Sequence, residues 1–300
     1  MSVLVVGSVA LDSVETPYGK VDAALGGSAT YFSAAASYFT DVNVVAVVGE
    51  DFPDEEIAFL KDRNVNFDGL EVRPGKTFRW GGKYDFDLNQ RETLFTHLNV
   101  FEDFDPVLPE NYKNTPYLFL ANIQPDLQLK VLHRMNRLRL VVMDTMNFWI
   151  EGTPESLKKV LKLIDVLIVN DSEVRQLAGD SNLFSGAKKI QTMGPKILVI
   201  KKGEHGALLI EDGNYFWTPA FPLEILQDPT GAGDTFAGGF VGYLAKVADH
   251  SQKSLRKAMI YGSTLASFCV EKFGLDRLKN LSQDEIEDRY QKFIDMTRMK

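Results

Sequence analysis

Cysteine is almost absent from this 300-residue chain. The single Cys269 excludes a disulfide framework and a cysteine zinc site, and it suits a reducing compartment. Histidine is nearly as scarce. His97, His133, His205 and His250 are scattered without metal-ligand spacing, so each reads as a surface or packing residue. No apolar stretch approaches the ~20 residues of a membrane-spanning helix; Val42 to Gly49 is among the longest. Excess positive charge is lacking too. Lys and Arg number 33 against 41 Asp and Glu, a net charge of −8, which argues against a general binder of nucleic acid or anionic membrane. There is no internal repeat, low-complexity tract or linker, and the chain opens on a strand-like run with no basic segment before it. The expectation is a cytoplasmic protein forming one domain over residues 1–300.

What is present is a rhythm of short apolar runs and helical patterns. Val3 to Gly7, Asn43 to Gly49, Tyr117 to Ala121, Leu140 to Asp144, Val166 to Asn170 and Ile197 to Lys201 read as buried strands. Helical patterns fall at Gly26–Phe39, Pro53–Arg63, Pro125–Arg137, Asp234–Ala248 and Lys253–Lys272, and Ser282 with Glu285 forms a capping-box pattern before the last. Strand and helix alternating this way predict a three-layer α/β fold, Rossmann-like, with a mostly parallel sheet flanked by helices. Two segments break the rhythm, about 13–25 and 72–99. The second is aromatic and rich in turn residues, with hairpins expected around Gly81-Gly82 and Leu88-Asn89. Both are expected to form a small β lid, since ligands of such folds bind at strand C-terminal ends and need cover; decoration of a sheet edge is the alternative.

Several familiar patterns fail. Gly75-Lys76-Thr77 resembles the end of a phosphate-binding P-loop, but the required earlier glycine position holds Leu70. Gly231-Ala232-Gly233 begins like a dinucleotide fingerprint, but Phe236 stands where the third glycine belongs. No Gly-x-Ser-x-Gly elbow is present.

The informative segment is Asp228-Pro229-Thr230-Gly231-Ala232-Gly233-Asp234-Thr235-Phe236-Ala237-Gly238-Gly239. It is a glycine-rich turn entering a helix. The amides of Gly231, Ala232 and Gly233 fall at the helix start, where N–H groups lack intrahelical partners and can face an anion. Asp234 would repel a phosphate bound there. Its presence makes sense if it accepts a proton from a hydroxyl while the amides hold charge on a moving phosphoryl group. An ordinary turn with a capping Asp is the other reading of the same residues.

That string resembles the C-terminal signature of the ribokinase-like sugar and nucleoside kinases, the PfkB family, and other segments fall in the family's order. Gly26-Gly27 at a helix entrance resembles its N-terminal Gly-Gly, and Asp12 sits where the family has an Asp that binds substrate hydroxyls. Asn170-Asp171-Ser172-Glu173 matches its Asn-x-x-Glu motif, and Lys201-Lys202-Gly203-Glu204-His205-Gly206 resembles its strand-turn segment beside the nucleotide. The resemblance implies a Rossmann-like core, a β lid, ATP as donor and Mg²⁺. It implies Asp234 as catalytic base and Gly231, Ala232 and Gly233 as anion hole. Asn170 and Glu173 would organise Mg²⁺, water and phosphate, with Glu173 reaching the metal through water. Asp12, Gly26 and Gly27 would face the acceptor. Lys202, Gly203 and Gly206 would flank the nucleotide, unless they only close a hairpin turn. Asp228 would be a ligand of a monovalent cation, K⁺.

The chain also departs from the pattern. Tyr31 stands where ribokinase has an Asn that contacts sugar hydroxyls, which weakens ribose as acceptor. Gly262 stands where ribokinase has a polar residue on the adenine side; it either leaves room for the base or closes helix packing. In the lid, Phe78, Trp80, Tyr84, Phe86 and Phe95 offer aromatic faces for a sugar or a base, and Arg79, Arg91 and Asn89 offer polar contacts. Asp144 with Asn147 and Trp149 marks a pocket edge. The expected activity is ATP-dependent phosphorylation of a hydroxyl, a hydroxymethyl, of a sugar. A nucleoside kinase of the same family and a non-catalytic sugar or nucleotide sensor are the alternatives. The exposed lid edge leads to the expectation of a homodimer paired through the lids.

Overall fold

The structure, a computed structural model, describes residues 1–88 and 90–298. Asn89, expected at a hairpin and as a polar contact, lies outside the described residues. The strands in chain order are β1 Val3–Val6, β2 Ala10–Thr16, β3 Gly19–Gly26, β4 Val42–Gly49, β5 Val65–Arg73, β6 Phe78–Tyr84, β7 Arg91–His97, β8 Tyr117–Leu120, β9 Leu140–Asp144, β10 Val166–Asn170, β11 Ile197–Lys201, β12 Ala207–Glu211 and β13 Asn214–Thr218. The helices are α1 Ser28–Ala36, α2 Ala58–Lys61, α3 Pro125–Arg134, α4 Asn147–Gly152, α5 Pro154–Leu161, α6 Asp171–Ala178, α7 Leu183–Met193, α8 Ala232–Val247, α9 Gln252–Cys269, α10 Asp276–Lys279 and α11 Gln283–Thr297.

Among the described residues the strands form two sheets. The larger runs β13-β12-β11-β10-β9-β8-β1-β4-β5. It is parallel from β11 to β5 and ends at the other side in the antiparallel hairpin β12–β13. Its central strands are continuous Val, Leu and Ile runs because helices cover both faces. Val3 and Val5 point into a core shared with α1, α8 and α9, while Leu4 and Val6 point into a second core under α3, α5, α6 and α7. The strand order reverses around β1, whose neighbours are β4 and β8. Such a switch point opens a crevice at the strand C-terminal ends.

The smaller sheet, β3-β2-β6-β7, is built from two excursions of the chain, one after β1 and one after β5. Here the expected boundaries shift. Gly81-Gly82 is not a hairpin turn; both glycines lie inside β6, where the pairing with β7 slips by a residue. The two glycines are there for space, since a Cβ on Gly81 would meet the Phe95 ring at 2.3 Å and one on Gly82 the Trp80 ring at 2.1 Å. Residues 72 and 73 belong to edge strand β5 of the larger sheet. Residues 10–12 belong to the smaller sheet, with Asp12 opposite Trp80. The helix expected over 53–63 is a 3₁₀ turn at Asp54–Ile57 followed by the single turn α2. The capping box of Ser282 and Glu285 is present as expected. No helix among the described residues is long and apolar enough to cross a membrane.

Candidate active site

Three neighbouring strands end at one place. Asp144, Asn170 and Lys201 are the last residues of β9, β10 and β11. The Lys201 Nζ lies 3.5 Å from Asp144 Oδ2, with the two side chains 20% and 9% exposed. Asn170 caps α6: its Oδ1 accepts the Glu173 N–H at 2.8 Å, and Glu173 Oε2 accepts the Asn170 N–H at 2.8 Å. The Asn-x-x-Glu pair is therefore a helix cap. The cap also holds the Glu173 carboxylate beside Asp144 and Lys201, whose charges both act on it.

The glycine-rich turn arrives from the other side. Gly231 caps α8 in the left-handed region, φ +74°, and a Cβ there would sit 2.4 Å from the Tyr31 ring. Tyr31 is 2% exposed; it forms the floor beneath the turn instead of an open wall of the acceptor pocket. The Gly231 and Gly233 amides find no acceptor among the described residues, whereas the Ala232 N–H turns back to Pro229 O at 3.3 Å. The expectation of three free amides thus contracts to two. A Cβ on Gly233 would lie 2.8 Å from the Lys201 Nζ, so the ammonium rests against this turn.

Asp234, in the first turn of α8, remains part-exposed. Burial pushes its carboxyl up to about 7, and the Asp144 charge adds to this, while Lys201, its own backbone N–H and Arg91 of β7 pull the other way. Glu173 is pushed up to about 7 by burial and Asp144. Burial also raises Asp144, against Lys201 and the Thr145 N–H. Burial opposes the charge on Lys201, but Asp144, Glu173 and Asp234 outweigh it and raise its pKa. A cation ringed by carboxylates whose affinities for the proton are all raised, two of them to about 7, is the kind of cluster found where proton transfer occurs.

Asp12, expected to face the acceptor, lies in β2 of the smaller sheet. Gly26 makes room for it, because a Cβ there would fall 2.0 Å from Asp12 Oδ2, and the Gly27 N–H donates to that same oxygen at 3.4 Å. Burial raises Asp12 to about 7 despite the Gly27 amide, with Asp228 and Asp234 adding to the rise. Trp80 follows on the same face of the smaller sheet, with the Arg91 guanidinium 4.9 Å from its ring centroid.

Other expected residues play different parts. Asp228 uses both oxygens on backbone, accepting the Thr230 N–H at 2.9 Å and the Gly274 N–H at 3.1 Å. Gly262 closes helix packing. It lies at the crossing of α9 with α8, where a Cβ would meet Phe236 O at 2.9 Å, and its own Cα closes over Gly239. Lys202, Gly203 and Gly206 form the tight turn between β11 and β12, closed by the Lys202 N–H to Gly206 O at 2.8 Å. The Lys202 side chain takes a different direction from Lys201, 3.7 Å from Asp171 and 5.9 Å from the Trp217 ring centroid. The lysine at the site is its neighbour Lys201. The indole of Trp149 donates to Asn122 Oδ1 at 2.8 Å, while Phe148 is exposed.

A metal would be held sparingly here. Among the described residues no three His, Cys, Asp or Glu side chains are grouped to grasp an ion. Glu173 keeps one carboxylate oxygen without a partner among them, and the hydroxyl of buried Thr145, next to Asp144, has none. That donor set suits a hydrated Mg²⁺ shared with phosphate oxygens, the usual manner of this ion.

Known proteins resemble this chain over nearly its whole length. The pattern of the pfkB family carbohydrate kinases matches residues 2–280. The cytidine kinase of Thermococcus kodakarensis is 28% identical over 250 residues, covering 81% of this chain and 88% of that protein. The crystal structure of the Methanocaldococcus jannaschii nucleoside kinase superposes with a TM-score of 0.77 at 22% identity, covering 97% of this chain and 98% of that one. That of the Salmonella enterica aminoimidazole riboside kinase, complexed with its riboside and an ATP analogue, gives 0.76 at 19%, covering 97% and 100%. At these identities the two structures speak for the fold.

Proposed function

Because the chain belongs to the pfkB family of carbohydrate kinases, it is an ATP-dependent kinase of a sugar or nucleoside hydroxyl, and we propose that Asp234 is the base that takes the acceptor's proton. The observation that carries this reading is the part-exposed Asp234 carboxyl, poised near 7, on the turn whose Gly231 and Gly233 amides have no acceptor among the described residues. The acceptor oxygen attacks the γ-phosphorus of ATP as its proton passes to Asp234; the bond from γ-phosphorus to the bridging oxygen breaks, and ADP leaves. The two glycine amides and Lys201 stabilise the charge on the transferring group. Glu173 and Asp144 would hold Mg²⁺ through water, and the ion would neutralise phosphate charge.

On the acceptor side, Asp12 accepts hydrogen bonds from hydroxyls beside the reacting one. A hydroxymethyl of a sugar fits that placement. A nucleoside acceptor is the second reading, favoured by the Trp80 ring, which lies over Gly82 on the Asp12 face and offers a platform for a base. Free sugars and nucleosides offered with ATP and scored by ADP release separate the two. Asp12→Ala is expected to raise the acceptor KM ~10–100-fold, as loss of hydrogen bonds to a charged group does, with the ATP KM unchanged. An equal rise in both would remove Asp12 from the acceptor site. Binding without turnover across the panel would instead make the protein a sensor.

An enzyme that spends ATP in this way would work in the cytoplasm, where ATP is supplied. Phe86 in the turn between β6 and β7 and Leu94 on β7, both exposed, support pairing of two lids in a homodimer. Light scattering on the eluted protein is expected to give twice the chain mass, and a monomer at micromolar concentration would refute it.

A further inference from the structure

The smaller sheet is tied to the glycine-rich turn through side chains buried between them. Tyr84, the last residue of β6, is 7% exposed, and Thr230, immediately before Gly231, is 8% exposed. The Thr230 hydroxyl donates to the Tyr84 hydroxyl at 3.2 Å. Thr230 is itself held on two further sides. Its N–H donates to Asp228 Oδ1 at 2.9 Å, and its carbonyl accepts from the Cys269 thiol at 3.6 Å. Asp228 carries the tie onward to the Gly274 N–H. Across β6–β7, Tyr84 stands directly opposite Arg91, whose positive charge acts on the Tyr84 hydroxyl.

We propose that Tyr84 is a positioning residue that couples seating of the lid to the geometry of the anion-binding turn. A hydrogen bond to residue 230 fixes the peptide from which the Gly231 amide projects. When the sheet lifts, that bond breaks and the turn loses one of its restraints. When the sheet settles over an acceptor, the bond re-forms and aims the amides. The device links the acceptor side, where Asp12 and Trp80 sit on the same sheet, to the phosphoryl side, and it would hold back transfer to water while the acceptor is absent. It rests on the reading of this turn as the phosphoryl site.

The test is a double-mutant cycle with Tyr84→Phe and Thr230→Val, each of which removes only a hydroxyl or its equivalent, and Thr230→Ser, which keeps it. Each single variant is expected to lower kcat about ten-fold with the ATP KM within about two-fold, since small misplacements of reacting groups are costly. The double variant should lose no more than either single, because both break the same bond. Thr230→Ser should stay within about two-fold of the wild type. Hydrogen exchange should show the amides of 78–84 less protected in Tyr84→Phe while the strands of the larger sheet keep their protection. A kcat within two-fold of wild type in Tyr84→Phe, or losses that multiply in the double variant, would overturn the coupling. Wild-type enzyme silent on every acceptor would sink the functional reading instead, and the exchange measurement would still decide whether the tie exists.

Discussion

Asp234→Asn is expected to cut kcat by ~10²–10⁴, the contribution of a positioned general base, while making the ligand-free protein harder to melt. Both effects come from one environment. Burial and the Asp144 charge raise the carboxyl to about 7, which means that its surroundings prefer the neutral form, and asparagine supplies that permanently. The folded chain keeps the proton up to about 7, whereas the unfolded chain gives it up near the ordinary 3.8. More protons are bound in the folded state across this interval, so its stability falls as pH rises from about 4 to about 7 and stays level above. The melting temperatures of wild type and Asp234→Asn should therefore coincide near pH 4, and the variant should lead by a widening margin up to pH 7–8. The wild-type rate should climb over the same approach to neutrality, as the base ionises. A variant that retains near-normal turnover removes the base assignment. One that melts lower than wild type at pH 8 removes the electrostatic account of the site.

Lys201→Met is expected to be nearly as damaging, through a different cause. The ammonium is the cation that Asp144, Glu173 and Asp234 share, and removing one partner of a buried ionic cluster strands the others. The three carboxyls then hold their protons to higher pH, so less of Asp234 is ionised at neutrality. Turnover at pH 7 should fall at least ~100-fold, and part of the loss should return at pH 9, which an inert packing defect would not allow. Lys202→Met removes contacts to Asp171 and the Trp217 ring and should fall well short of this. Equal losses in the two variants, or a pH-independent loss in Lys201→Met, would contradict the placement.

Much of this was legible in the sequence because burial on both faces writes a parallel strand as an unbroken apolar run. β1, β4, β8, β9, β10 and β11 all carry that mark, and the turn before α8 announced itself by its glycines. What escaped did so for physical reasons. β5 lies at the sheet edge, so its residues mix charge with apolar side chains and look like a loop. Gly81-Gly82 looks like a turn, but its glycines clear space for Phe95 and Trp80, rings that only the folded sheet brings there. Lys201 and Lys202 were indistinguishable because a strand buried on both sides shows no alternation to tell which of two successive lysines at its end reaches the carboxylates. Glu173 and Asn170 were visible as a pair, but their double service as cap and as site could only come from seeing Asp144 and Lys201 beside them. Gly262 was ambiguous for a similar reason: one missing side chain fits either a base or a neighbouring helix, and the contact with Phe236 decides it.

The seam joining β2 to β6, in which Ala10 pairs with Phe78, has a consequence during synthesis. β2 emerges early from the ribosome, yet its partner waits until β4 and β5 have been made. Long-range closures of this kind form late. Until then β2 presents an open edge ready to pair with other chains. A nascent polypeptide halted before residue 78 should therefore lean heavily on chaperones, and one extended past residue 97 should shed that dependence as the edge is covered.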